Sequence, residues 1–174
     1  FNATQALMQK FKSIKYYEEI RKEEKTISYI LNNHFGGVVK RPDKLSKDEL
    51  IESLDEYLHL IPGDLAIIDF ESSKRGSEKI LKEYLEDEGL IYDYDYILID
   101  SPPTYSVFSL SALIASDYYL VPIEPDVFST LGYELLNRII SNDLSLKDTK
   151  LIELGIVFTM VRTNKVGQQQ VIDE

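Results

Sequence analysis

The run Tyr94-Asp95-Tyr96-Ile97-Leu98-Ile99-Asp100-Ser101-Pro102-Pro103 constrains this chain more than any other stretch. Ile97, Leu98 and Ile99 form a short apolar block that ends in a carboxylate, and two prolines then forbid the strand to continue. An unbroken aliphatic block of this kind suits a strand buried on both faces, as in a parallel sheet. Ligands of such sheets sit beyond the carboxyl ends of the strands. Asp100 is therefore expected at the lip of a binding crevice. The alternative is that Asp100 only caps the helix that follows. The rigid Pro-Pro step argues for a fixed functional loop over a plain cap.

A chain of 174 residues suits one domain, 1–174, with a substantial core. The absence of cysteine excludes disulfides, thiolate metal sites and cysteine nucleophiles, and is compatible with a reducing cytoplasm. With only His34 and His59, a histidine-rich metal site is not expected either. No apolar run reaches bilayer length, and the first residues carry no signal-peptide pattern. The net charge of −11 is unevenly spread. Residues 1–50 hold ten Lys/Arg against seven Asp/Glu, whereas residues 51–174 hold nine against twenty-three. So acidic a body argues against nucleic acid being held by this piece alone, and is read as serving solubility.

Taken in order, Leu7, Met8, Phe11 and Ile14 fall at helical spacing and predict a helix from about Thr4 to about Glu24. Thr26 can cap a second, shorter helix. Gly36-Gly37-Val38-Val39-Lys40-Arg41 fails as a Walker loop: no second glycine precedes Lys40, and Arg41 stands where a hydroxyl must reach Mg²⁺. It reads as a loop or hairpin tip. Ser46-Lys47-Asp48-Glu49 is a capping box opening a helix or a helical turn through Leu50, Ile51 and Leu54. Tyr57–Ile61 then reads as a strand stopped by Pro62-Gly63, with His59 a structural histidine and Asp64 the cap of a helix through Phe70. Ser77–Glu88 predicts an amphipathic helix stopped by Gly89.

After the organising strand, Val107–Ile114 predicts a largely buried helix, and Tyr118–Ile123 a strand. A helix from near Ser129 through Ile140, a strand within Leu151–Val161 and a final helix from Gly167 follow. From about residue 55 onward strands and helices alternate, which argues for a mostly parallel α/β sheet with helices on both faces.

These residues resemble a known family. Tyr94–Pro103 is similar to the Walker B strand of ParA/MinD-type ATPases, the deviant-Walker P-loop class. The likeness runs on through Ser109–Asp117, Val121–Pro125, Phe128–Gly132 and Gly155–Met160, with Leu58–Pro62 as the strand before them. Asn2-Ala3-Thr4 resembles the end of the family's switch I signature, D-x-D-P-Q-x-N-A-T. The ParA/Soj-like branch fits better than the MinD-like one. The family's K-G-G-x-x-[GK]-K-T loop lies upstream of that signature, so the chain is expected to be an internal part of such an ATPase, without the phosphate cradle and inactive alone.

The resemblance implies a P-loop NTPase-like, three-layer α/β/α fold, truncated at both ends, with ATP and Mg²⁺ as cofactors. Asp100 would hold Mg²⁺, through a water, and serve as the catalytic carboxylate. Pro102 and Pro103 would stiffen switch II, and Asn2 and Thr4 would flank switch I. Thr159 and Met160 match the segment near the adenine, with Pro122 and Pro125 on the neighbouring loop, although strand-end packing accounts for Thr159 and Met160 equally well. The implied partners are a second copy in the ATP state, a protein that stimulates hydrolysis, and DNA bound without sequence preference. Partitioning of chromosome, plasmid or other cargo in a bacterial cytoplasm, near the nucleoid, would be the outcome, with no membrane span.

Two other readings compete. In one, the chain is a receiver-like signalling module that accepts phosphate on Asp100, but no acidic pair follows an early strand. Stable acyl-phosphate labelling would favour it. In the other, it is a nucleotide-free interaction module derived from the ATPase fold.

Overall fold

The computed structural model describes residues 2–33, 45–64, 76–102, 104–162, 168 and 171–172. They fall into two compact units, residues 1–112 and 113–174. The predicted loop at Gly36–Arg41 and the helix after Asp64 lie outside the described residues.

In the first unit the single long helix predicted at the start is two. α1 (Asn2–Phe11) ends, and α2 (Ile14–Lys22) begins anew. Ser13 causes the break: its backbone is extended, and its hydroxyl accepts the Tyr16 N–H at 3.1 Å. A cap of this kind competes with continuing the helix. α2 ends in a Schellman turn, with Lys25 N–H on the Ile20 carbonyl and Glu24 N–H on the Arg21 carbonyl. Its left-handed position, usually glycine, is Glu24, at φ 57°.

α3 (Ile27–Asn33) follows, with Thr26 before it as predicted. At α4 (Lys47–Leu50) the capping box forms: the Glu49 carboxylate accepts the Ser46 N–H at 2.8 Å and the Ser46 hydroxyl at 2.9 Å. Those bonds hold the Glu49 carboxyl below its usual range. Of the helix or helical turn expected there, a single turn forms, and it ends at Leu50 rather than reaching Leu54. Ile51 is already extended, and β1 (Glu52–Asp55) pairs antiparallel with β2 (Leu58–Leu60) around Glu56-Tyr57. The predicted strand at 57–61 thus belongs to a hairpin rather than a parallel ladder, because a two-residue connection permits only antiparallel neighbours.

α5 (Ile80–Asp87), entered through a 3-10 turn at Ser77–Lys79, bears out the amphipathic prediction, and Gly89 takes the left-handed stop at φ 70°; the short α6 (Leu90–Asp93) beyond it was not predicted. Ile80, Leu81, Tyr84 and Leu85 line the buried side of α5, which packs on α3 and α6. Met8, Tyr17 and Ile20 join α1 and α2 in a small core that Leu60 partly covers.

The organising run corrects its own prediction. Residues 94–102 form no strand, and Tyr96 is 86% and Leu98 93% exposed. A strand is buried on both faces only when ladders flank it. Among the described residues none pairs with this one. α7 (Val107–Ile114) follows, with Ser111, Ala112 and Ile114 buried.

In the second unit β3 (Tyr118–Ile123) and β4 (Ile152–Phe158) form a parallel pair joined by α8 (Val127–Asn142), as the α/β reading requires. The register slips between Tyr119 and Leu120: Tyr119 faces Glu153, Leu120 faces Gly155, and Leu154 is the extra residue. Gly155, at φ 119°, supplies backbone freedom at that bulge. The Glu153 carboxylate accepts hydroxyl bonds from Tyr119 on β3, at 2.9 Å, and Tyr133 on α8, tying all three elements.

Candidate functional site

The first turn of a helix has N–H groups without intrahelical partners. In α1 one of them, on Ala3, donates to Oδ2 of Asp100 at 3.1 Å, across 97 positions of sequence. A carboxylate there also meets the positive end of the helix dipole. Asp100 thus lies against the Asn2-Ala3-Thr4 segment, and its own run of chain reaches it without strand pairing.

Thr4, next in the turn, is 3% exposed, and its hydroxyl accepts the Gly63 N–H at 2.8 Å. The Gly63 carbonyl accepts the Tyr17 hydroxyl at 2.7 Å, and the Pro62 carbonyl accepts the Ile27 N–H at 2.8 Å. Asp64, also buried, takes Nε of Arg21 at 3.2 Å and the Thr26 hydroxyl at 3.4 Å. Burial first, and the Asp64 charge second, push the Tyr17 phenol up, with Arg21 opposing. The loop 61–64 is therefore gripped by α1, α2 and the start of α3. Asn2 and Pro102 are exposed, and Pro103 lies outside the described residues.

The second unit holds the remaining predicted residues. Thr159 gives both its N–H, at 2.8 Å, and its hydroxyl, at 3.2 Å, to the Ile123 carbonyl. It clamps the ends of β3 and β4. Met160 follows in a left-handed conformation, φ 53°, and is 72% exposed. Pro122 is exposed on β3, opposite Val157. Past β4, the buried Gln168 accepts the Arg162 N–H and donates to Glu124 at 3.1 Å.

A recess of about 190 Å³ elsewhere in the first unit is lined by Lys47, His59, Asp93 and Tyr94. Its polar groups partner one another: Lys47 with Asp93 at 2.6 Å, His59 with Tyr94 at 2.7 Å. His59 is structural, as predicted. Among the described residues no three His, Asp or Glu gather as a metal cage.

Sequence reasoning named Asp100 and Thr4 but not the grip on Gly63. Tyr17 reads only as a helix residue, and the Pro62-Gly63-Asp64 signal was spent on the end of a strand.

The parallel pair joined by α8 makes the second unit an α/β fold of the class whose ligands sit beyond the strand ends, and in the first unit the Asp100 carboxylate lies against the start of α1. The family described as AAA domain matches residues 1–152. The chain belongs to this family, one of ParA/MinD-type P-loop ATPases. It is 30% identical over 122 residues to the chromosome-partitioning ATPase Soj of Thermus thermophilus, covering 70% of this chain and 47% of Soj. A plasmid partition protein from Borrelia burgdorferi has a similar structure, with a TM-score of 0.69 and 27% identity over 98% of this chain and 70% of that one. The fold is also similar to that of cobyrinic acid a,c-diamide synthase from Mycobacterium smegmatis, solved with an ATP analog and magnesium. There the TM-score is 0.68 at 22% identity, over 84% of this chain and 57% of the synthase. The chain spans about half the length of the curated relatives it matches. Among the described residues no helix is long and apolar enough to cross a membrane.

Proposed function

We propose that this chain is part of a ParA-like ATPase in which Asp100 serves a Mg²⁺–ATP site. The observation that carries the reading is the bond between Ala3 and Asp100, which joins the two segments similar to the family's switch I and Walker B signatures. Asp100 is an exposed oxygen donor of the hard type that Mg²⁺ accepts, commonly through a retained water. When bound, Mg²⁺ would neutralise charge on the phosphate oxygens.

This chain's own residues would do the positioning. Asp100 would hold the metal through a water, with the α1 start orienting Asp100, and Pro102 with Pro103 would stiffen the segment beyond. Asn2 would serve the phosphate. Pro122, Thr159 and Met160 would serve the base, with Thr159 fixing the ends of β3 and β4. Hydrolysis would control pairing with a second copy and the partitioning of chromosome or plasmid in a bacterial cytoplasm, stimulated by a partner protein and guided by non-specific DNA contacts. The partition proteins among its relatives support that assignment.

The test is ATP turnover by the gene product that carries this chain, compared with Asp100→Ala and Asp100→Asn. Both variants are expected to lose at least about 100-fold in turnover. Asp100→Asn, which keeps an acceptor for the Ala3 N–H, should melt close to wild type. Unchanged turnover in both overturns the assignment.

A further inference from the structure

We propose that Thr4 is a positioning residue, whose hydroxyl fixes the first turn of α1 on Gly63 and so holds the Ala3 N–H against Asp100. The inference rests on the reading of Asp100 as the metal-side carboxylate. Three bonds in series carry it. Tyr17 donates to the Gly63 carbonyl at 2.7 Å, the Gly63 N–H donates to Thr4 at 2.8 Å, and the adjoining Ala3 N–H donates to Asp100 at 3.1 Å.

Gly63 is thus held by side chains on both of its polar backbone groups, and Tyr17 sits in the small core with Met8 and Ile20. That core anchors Gly63, Gly63 anchors Thr4, and Thr4 is the neighbour of Ala3 in a helical turn that leaves little independent movement. Thr4 is itself 3% exposed, so losing its hydroxyl would leave the part-buried Gly63 N–H without the acceptor it now has. The turn would then shift, and Asp100 would lose the donor that orients it. Thr4 acts on the site through Asp100, without touching a ligand.

The experiment compares wild type, Thr4→Val and Thr4→Ser in the complete gene product. Two readouts are taken: hydrogen exchange at the Ala3 amide, with Leu85 in α5 as internal control, and the gain in ATP affinity on adding Mg²⁺. Thr4→Val, which keeps the shape but not the hydroxyl, is expected to speed Ala3 exchange about tenfold while Leu85 is unchanged. It should also cut the Mg²⁺-dependent gain several-fold and leave metal-free ATP affinity intact. Thr4→Ser should restore both. Unchanged Ala3 exchange in Thr4→Val overturns the proposal, as does faster exchange with an undiminished Mg²⁺ gain.

If wild type shows no Mg²⁺-dependent ATP binding, the proposed function fails, and Ala3 exchange alone then decides whether Thr4 holds the turn. Should Thr4→Val not fold, Tyr17→Phe releases Gly63 from its other side and must shift both readouts the same way, or the proposal falls.

Discussion

Arg21 and Asp64 meet at 3.2 Å, guanidinium to carboxylate, with Asp64 almost wholly shielded and Arg21 still open to water. The pair closes the loop that also carries Gly63, so it supports the candidate site from behind.

Removing the guanidinium would take from a buried carboxylate the positive charge that faces it at 3.2 Å. Arg21→Ala is expected to cost about 2 kcal/mol in urea unfolding, and Arg21→Lys about half that, since lysine keeps the charge but not the planar fork. An unchanged midpoint in Arg21→Ala would mean that the pair contributes nothing.

Tyr84 is 5% exposed, and its hydroxyl has no hydrogen-bond partner among the described residues. Tyr84→Phe should therefore be neutral or stabilising by up to about 1 kcal/mol in thermal melts. Burial, then the Glu88 charge, push the phenol up to about 12. Above pH 10 the unfolded chain loses this proton while the folded chain keeps it. The contribution of Tyr84 is thus complete below pH 10 and declines by about 1.4 kcal/mol per pH unit until the folded phenol also ionises. Comparing alkaline unfolding of Tyr84→Phe with wild type should show a shallower slope in the variant. Equal slopes would rule this out.

Glu153 serves two tyrosines at once. Burial and then the Glu153 bond raise the Tyr119 phenol, and the Glu153 bond is the leading cause for Tyr133. Glu153→Ala leaves both hydroxyls without their acceptor and should cost about 2–3 kcal/mol, with faster amide exchange in β3 and β4. Glu153→Gln, which keeps an acceptor oxygen, should lose less. Equal losses in the two variants would mean that the carboxylate's bonds are not what holds the three elements.

Glu24 occupies the left-handed position that closes α2, where a side chain is strained. Glu24→Gly is expected to raise stability by about 1 kcal/mol in denaturant titration. A loss instead would show that the Glu24 side chain contributes more than its backbone strain costs.

The helices α5, α7 and α8 and the strands β3 and β4 were legible because each carries its own period and its own stop, such as Gly89 or Pro125. Three features were not. The break at Ser13 depends on one hydroxyl winning over helical continuation, which hydrophobic spacing does not register. The hairpin at 52–60 hides behind a capping box that signals where a helix starts but not how long it lasts. The run at 94–100 has the composition of an inner strand, yet composition cannot supply a neighbour to pair with. At the site, Asp100 was legible as a carboxylate ending an apolar block. Its bond to Ala3 spans 97 positions, and no local pattern encodes such a contact.

The extra residue at Leu154 acts as a change of parity within one strand. Glu153 and Phe158 lie an odd number of steps apart, yet their partners Tyr119 and Ile123 place them on the same side of the sheet. Excising Leu154 would restore plain alternation and leave everything downstream on its present side, since Glu153 and Phe158 would then lie an even number of steps apart. The bulge thus absorbs one residue of sequence without altering where the strand delivers Thr159.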